Sequence, residues 1–124
     1  MFSITNFIDE MIKFFPEIAT EIEKTKSDYF EGCDTIIIED IIMPRVVALL
    51  KRNVEFDKLK SVFAYFEIIA TCADDKLSDV FSVCCLEILG NEKIILERAK
   101  QYMGPITTIL QREADMALGR VVDN

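Results

Sequence analysis

The stretch from Val62 to Gly90 constrains the fold most, because it encodes two apolar helices joined by a short acidic turn. Apolar residues in its first half, such as Val62 and Phe66, recur at the three- and four-residue steps of a helix. Asp74 and Asp75 then interrupt the pattern, and a side-chain oxygen there can cap a second helix. That second helix is apolar on almost every side, and Gly90 is expected to end it in the left-handed conformation. A helix with so little polar surface must be covered by neighbours, so we predict a central helical hairpin.

The rest of the chain also favours helices. Only four Gly and three Pro occur among 124 residues, of which 51% are hydrophobic, as in helical proteins with short connections. We predict a single all-α domain spanning 1–124, a compact bundle or short stack of antiparallel helix pairs with about eight short helices. In the later helices, Asp57 and Asn91 are predicted N-caps and Gly104 a helix end. Pro105 is predicted to begin a last helix that runs to Gly119, with Ile106, Ile109, Leu110 and Ala117 as its apolar positions.

The segment TIIIEDIIMPRVVALLKRN is the hardest to interpret. Ile36–Ile38 is compatible with a strand, but no second strand candidate is available to pair with it. We predict a helix from Thr35 to Ile42, a break or kink at Pro44, and a further helix to Arg52.

The inventory of reactive side chains argues against catalysis. The chain has no histidine, so the commonest general acid–base is missing, and no nucleophile motif or Gly-rich phosphate loop is present. Four cysteines, Cys33, Cys72, Cys84 and Cys85, show no CxxC spacing and are interpreted as buried, reduced thiols. We therefore predict a protein that is not an enzyme and has no cofactor or metal site.

Charge is distributed unevenly along the chain. Residues 1–44 contain ten acids and three bases, whereas residues 45–124 contain twelve acids and eleven bases. In the second predicted helix, Ile18, Ile22 and Tyr29 form the buried side and the acids lie opposite. One interpretation is a solvated face that aids solubility. The other is a negative surface for a basic partner, and it assigns binding to seven acids: Glu17, Glu21, Asp28, Glu31, Asp34, Glu39 and Asp40.

The same charge opposes binding to nucleic acid or to an anionic membrane. The acidic N-terminus and the absence of a long apolar run favour a cytoplasmic protein. Glu87 stands alone in the most apolar helix, where an ion pair or a hydrogen bond is the usual explanation for a charge.

The chain after Phe63 contains two segments of note, YFEIIATCADDKLSDVFSVCCLEILGNE and the later RAKQYMGPITTILQ, which include the Asp74-Asp75 turn, Leu86-Glu87 and the Tyr102–Pro105 boundary. In these segments the chain resembles the small helical immunity proteins of bacterial polymorphic-toxin and contact-dependent growth inhibition systems. The resemblance implies a cytoplasmic protein that binds and blocks one cognate toxin, often a nuclease with a basic substrate-binding surface. The competing class is a helical adaptor that recognises a peptide or partner protein in an apolar groove.

Overall fold

Seven helices make up most of the computed structural model, which describes residues 1–29 and 31–122, and none of those residues lies in a strand. This confirms the predicted all-α class. The helices are α1 (Ile4–Phe14), α2 (Ile18–Asp28), α3 (the consecutive segments Asp34–Ile36, Ile37–Ile42 and Met43–Arg52), α4 (Phe56–Cys72), α5 (the consecutive segments Asp75–Val80, Phe81–Leu86 and Glu87–Leu89), α6 (Lys93–Lys100) and α7 (Pro105–Ala117).

Helix α3 continues through Pro44, where the sequence predicted a break or kink, and the described residues form seven helices. Proline cannot donate an N–H, and its ring collides with the carbonyl four residues earlier in an α-helix. The segment before it, Ile37–Ile42, is a π-helix, and the amide of Met43 bonds the carbonyl of Ile38 five residues back. The wider turn accommodates the proline without ending the helix. Ile36–Ile38 is helical, as predicted.

The two helices predicted within 62–90 form as α4 and α5, and Asp74 is the local determinant of the short turn between them. The Asp74 carboxylate accepts a hydrogen bond of 2.8 Å from the amide of Leu77 and so caps α5. Phe66 of α4 packs edge-on against Phe81 of α5, with ring centroids 5.4 Å apart, and both rings are buried. Phe7 of α1 lies against both rings, so the aromatic core joins three helices.

The start of the chain is fastened to the turn of this hairpin. The amide of Phe2 donates to the carbonyl of Cys72, and the amide of Asp74 donates to the carbonyl of Phe2, each at 2.8 Å. Ser3 then caps α1 by accepting from the amide of Asn6. These bonds position α1 across the central hairpin.

Three predicted helix boundaries are wrong. Glu55, in a left-handed conformation, precedes α4, and Asp57 lies in the first turn. Glu92 precedes α6, whereas the side chain of Asn91 accepts a hydrogen bond from Arg120. Gly104 is extended and begins α7 instead of ending α6.

Gly90 ends α5 in a right-handed conformation, with φ −85°, and not in the predicted left-handed one. Its lack of a side chain serves packing: a Cβ there would collide with the carboxylate of Asp115 and the guanidinium of Arg120. A side chain at position 90 would have to displace these groups, whereas the backbone conformation itself suits any residue.

Helix α7 presents the opposite face to the one predicted. Ile106 and Ile109 are 38% and 53% exposed, and Leu110 is half-buried. The buried side consists of Ala114 and three polar residues: Thr107, Gln111 and Asp115. The polar atoms bind groups of the neighbouring helices, as described below, and these contacts orient the helix.

No helix in the described part of the chain is both long enough and apolar enough to cross a lipid bilayer.

Candidate functional site

Helices α2 and α3 form an antiparallel pair whose connecting turn carries much of the acidic charge. The segment 27–44 contains five acids and no base. Three of them, Asp28, Glu31 and Asp34, lie at the turn, where α2 ends and α3 begins. We call these three residues together with Tyr29 the acidic tip.

Tyr29 changes the interpretation of this turn. The sequence predicted it to be buried, but α2 ends one residue earlier and Tyr29 is 48% exposed. Its backbone is extended, so it no longer follows the helical stripe of Ile18 and Ile22, both of which are buried as predicted. Gly32 takes a left-handed conformation with φ 76° in the turn. The tip thus places an exposed aromatic ring among three carboxylates, none of which forms an ion pair with a described residue.

The other predicted acids do not join the tip. Glu17 and Glu21 lie at the opposite end of α2, on the order of 15 Å away at the rise of an α-helix. Both are paired with Arg45 of α3, at 3.6 Å and 3.0 Å. Their charge is partly compensated within the molecule, which reduces what they can offer a partner.

Glu39 and Asp40 are exposed within the π-helical part of α3. That segment contacts the π-helical segment of α5. The seven predicted acids are therefore divided into three groups, of which the tip is the group that combines exposed charge with an exposed aromatic ring.

The thiols are mostly placed as predicted. Cys33, Cys84 and Cys85 are buried, whereas Cys72, the last residue of α4, is exposed; all four are free. Among the described residues, no group of three or more His, Cys, Asp or Glu is arranged to hold a metal ion.

The environment of the buried pair makes these thiols poor nucleophiles. Burial, followed by the carboxylates of Glu39 and Glu87, raises the pKa of Cys84 to about 12. Burial also raises the pKa of Cys85 well above its usual range. Because the thiolate is the reactive form, little of it exists at neutral pH. The half-buried side chain of Glu87 makes neither the ion pair nor the hydrogen bond that the sequence predicted with any described residue.

A second surface feature is a groove between α4 and the connection from α6 to α7, with a volume of about 740 Å³. Phe63 and Tyr102 stack at its base, with centroids 5.9 Å apart, and Phe56 is 51% exposed at its edge. Lys60 also lines it. Sequence reasoning missed this groove. Phe56 and Phe63 are seven residues apart, a spacing that indicates one helical face, but not that part of this face is open to solvent.

One end of the groove is built by Glu67. Its carboxylate accepts hydrogen bonds from the amides of Ile106 (3.0 Å) and Thr107 (2.8 Å), and from the Thr107 hydroxyl at 2.8 Å. A carboxylate that pairs with free amides at a helix N-terminus also interacts favourably with the helix dipole. Partial burial raises the pKa of Glu67, but these hydrogen bonds outweigh it and lower the pKa below its usual value. A Cβ at Gly104 would collide with the same carboxylate, which accounts for that glycine.

The far end of α7 is held by a polar clasp. Gln111 donates a 2.8 Å hydrogen bond to the carbonyl of Leu86, and its other amide atom, Oε1, has no partner among the described residues. Arg120 donates to Asp115 at 2.8 Å and to the carbonyl of Glu87 at 3.2 Å. These bonds satisfy the C-terminal carbonyls of α5 and explain why the polar side of α7 faces inward.

Comparison with known proteins gives a family but no individual relative. Neither a curated protein nor a solved structure matches the chain significantly. A family model does match, over residues 8–116, which extend from α1 into α7 and include both the acidic tip and the groove. The chain belongs to the family described as "Domain of unknown function (DUF7674)".

Proposed function

We propose that this protein is a cytoplasmic immunity protein that binds and neutralises a toxin with a basic surface, and that the acidic tip makes the central contact. The observation that carries the proposal is the combination of an exposed aromatic ring, Tyr29, with three neighbouring carboxylates, Asp28, Glu31 and Asp34, that form no ion pair with a described residue. Tyrosine is enriched among the residues that dominate protein interfaces. Tyrosine rings also attract the guanidinium groups that a nuclease uses to bind phosphate.

Two further features support a binding role. The net charge of −8 and its concentration in the first 44 residues produce a field that attracts a basic protein and repels nucleic acid. Residues 63–111 resemble immunity proteins, and for this reason we propose that the partner is a toxin. The carboxylates would then occupy the toxin surface that otherwise binds phosphate.

The test is binding and protection with toxin domains encoded beside the protein. Association is measured at low and high salt, together with growth of cells that express the toxin. The tip variant carries Asp28→Lys, Glu31→Lys and Asp34→Lys. We expect it to associate at least about tenfold more slowly than the wild type, because steering by charge acts mainly on the association rate. High salt should also slow association of the wild type with the toxin, because it screens the attraction between the two charged surfaces.

The matched control reverses three exposed acids elsewhere, Asp57, Glu97 and Glu113, and so makes the same change in net charge. Asp57 also matches Asp34 as an acid in the first turn of a helix. The control should bind and protect as the wild type does, and both variants should keep a cooperative melting transition.

If the tip variant is folded and binds as fast as the wild type, the interface lies elsewhere on the protein. Binding that depends on the groove and is insensitive to salt would favour the adaptor function. No binding and no protection with any neighbouring toxin domain would overturn the inhibitor proposal.

A further inference from the structure

We infer that the outer side of α7 is a self-association surface, on which the α7 helices of two copies of this chain pack side by side and parallel. Ile109 and Met116 lie at the centre of this contact, and Arg112 of each copy lies opposite Glu113 of the other. The surface includes none of the acidic-tip residues and does not depend on the toxin-inhibitor proposal.

The apolar side chains on the outer side of α7 form one stripe. Ile109 and Met116 are 53% and 60% exposed. They are seven residues apart, so their directions around the helix differ by only about 20°. Ile106, which is exposed, lies about one turn before Ile109, and Ala117 is exposed beside Met116. The stripe thus runs along most of the helix.

Helix α7 cannot bury this stripe by turning about its axis. Its other side is held by the hydrogen bonds of Thr107 to Glu67 and of Gln111 to the carbonyl of Leu86. Rotation would break these bonds and leave buried polar groups unpaired. The stripe therefore stays at the surface of a single copy, where a second molecule can cover it.

Two charges of opposite sign border the stripe. Arg112 and Glu113 are exposed, and neither forms an ion pair with a described residue. Each residue of an α-helix is rotated by about 100° from the one before it, so Arg112 lies roughly 40–60° to one side of the line through Ile109 and Met116. Glu113 lies at a similar angle on the other side. One edge of the stripe is therefore basic and the other acidic.

These edges select the direction of packing. When two copies pack about a two-fold axis parallel to α7, the basic edge of each helix meets the acidic edge of the other, and two contacts between Arg112 and Glu113 form. In an antiparallel pair like edges would meet, with Arg112 facing Arg112 and Glu113 facing Glu113. Charge therefore favours the parallel pair and opposes the antiparallel one.

The same edges favour a second copy as the partner. Residues 105–120 contain two bases and two acids, although the whole chain has a net charge of −8. Two of these four, Asp115 and Arg120, are already paired with each other at 2.8 Å. A partner of one predominant charge would leave either Arg112 or Glu113 facing a like charge, whereas a second copy complements both.

The contact is small, because about three turns of one helix supply it. Stable protein interfaces bury roughly 1,200–2,000 Å², so we expect a weak dimer with a dissociation constant on the order of 100 µM. Melting and urea experiments on dilute protein, well below that concentration, measure the monomer. Variants of Ile109 and Glu113 therefore show no effect of the dimer in them.

Sedimentation of the full chain between about 10 µM and about 1 mM tests the proposal with two variants. Arg112→Glu makes both edges of the stripe acidic, and Glu113→Arg makes both edges basic. Each variant alone should associate at least about tenfold more weakly than the wild type, because exposed attractions become repulsions. An equimolar mixture of the two should form a heterodimer, since acidic edges then meet basic ones. Association that is restored by mixing distinguishes an interface effect from a folding defect.

The matched controls make the same changes of charge elsewhere. Lys24→Glu on α2 and Glu97→Arg on α6 both alter exposed residues. Each should associate as the wild type does, and mixing them should not strengthen association.

Single cysteines test the direction of packing. The background is Cys72→Ser, which removes the exposed native thiol. In it, Ile109→Cys and Met116→Cys should each form a disulfide between two copies on oxidation, because a parallel pair places each position beside its own counterpart. When the two variants are mixed, dimers linked at the same position should predominate. A predominance of the disulfide between positions 109 and 116 would overturn the parallel arrangement.

A wild-type chain that stays monomeric at about 1 mM would overturn the proposal. So would charge variants of α7 that associate as the wild type does, or a mixture of these variants that stays monomeric. Controls that weaken association as much as the α7 variants do would assign the effect to net charge and would also overturn it.

Discussion

At the scale of single residues, Glu67 explains more of the local structure than any pattern in its own helix does. Its carboxylate joins α4 to the first turn of α7, sets one end of the groove, and excludes a side chain at position 104. The extended backbone of Gly104, with φ −75°, is one that any residue can adopt. A larger residue there would have to displace the Glu67 carboxylate, which occupies the space of a Cβ.

The lowered pKa of Glu67 predicts a pH-dependent contribution to stability. A carboxyl that is more acidic in the folded chain than its usual value of 4.5 stabilises the fold fully above that pH. Its contribution is lost as the pH falls through the lower, folded-state pKa. We therefore expect Glu67→Gln to lower the melting temperature at neutral pH, with a difference from the wild type that shrinks as the solution is acidified below 4.5.

The matched control is Glu113→Gln on the exposed side of α7. Its melting temperature should stay close to that of the wild type, without the large gap at neutral pH that closes in acid. A difference between Glu67→Gln and the wild type that is constant across the acid range would show that the charge of Glu67 does not contribute.

At the scale of elements, α7 illustrates how polar partners can override an apolar pattern. Its apolar side chains outnumber the polar ones that turn inward, yet Gln111 and Asp115 are almost fully buried. The reason is that α5 ends with carbonyls that need donors, and Gln111 and Arg120 supply them. An unpaired buried polar group costs more than an isoleucine gains by moving from half exposure to burial.

This arrangement predicts an unusual order of mutational effects along α7. Asp115→Ala should lower the free energy of unfolding by about 2–4 kcal/mol, because it leaves the partly buried guanidinium of Arg120 without its carboxylate. Ile109→Ser should cost less than about 1 kcal/mol, because Ile109 is already half exposed. Urea unfolding measures both values. If Ile109→Ser proves as costly as Asp115→Ala, then Ile109 is part of the core and α7 faces the other way.

At the scale of the whole molecule, α3 separates opposite charges. Its first half carries Asp34, Glu39 and Asp40, and its last turn carries Lys51 and Arg52. The helix spans 19 residues, roughly 28 Å at 1.5 Å per residue. This length exceeds the Debye length of about 8 Å at physiological salt, so salt screens the acidic first half of α3 from its basic last turn.

The buried core is continuous across the helices, which predicts that the chain unfolds as one domain. One cluster of apolar side chains extends from Ile4 in α1 to Ala114 in α7. Thermal unfolding followed by far-UV circular dichroism and by tyrosine fluorescence should therefore give coincident single transitions. Two separate transitions would show that the predicted domain 1–124 consists of units that unfold independently.

The amino-acid sequence by itself determined those features that depend on contacts within a few residues. Helical periodicity specified the all-α class, and Asp74 could be identified as a cap because it bonds an amide three residues away. The excess of acidic residues in 1–44 also follows from the sequence alone, because it is a count of residue types.

Only the tertiary structure decided which surfaces these elements present. Tyr29 is exposed because α2 ends before it, and the groove forms because α4 meets a connection about 40 residues later in the chain. The inward face of α7 and the glycine at position 90 likewise depend on polar groups of distant segments. Periodicity describes how apolar a helical face is. In α7 the face that turns inward depends instead on hydrogen bonds to backbone carbonyls of a segment far away in sequence.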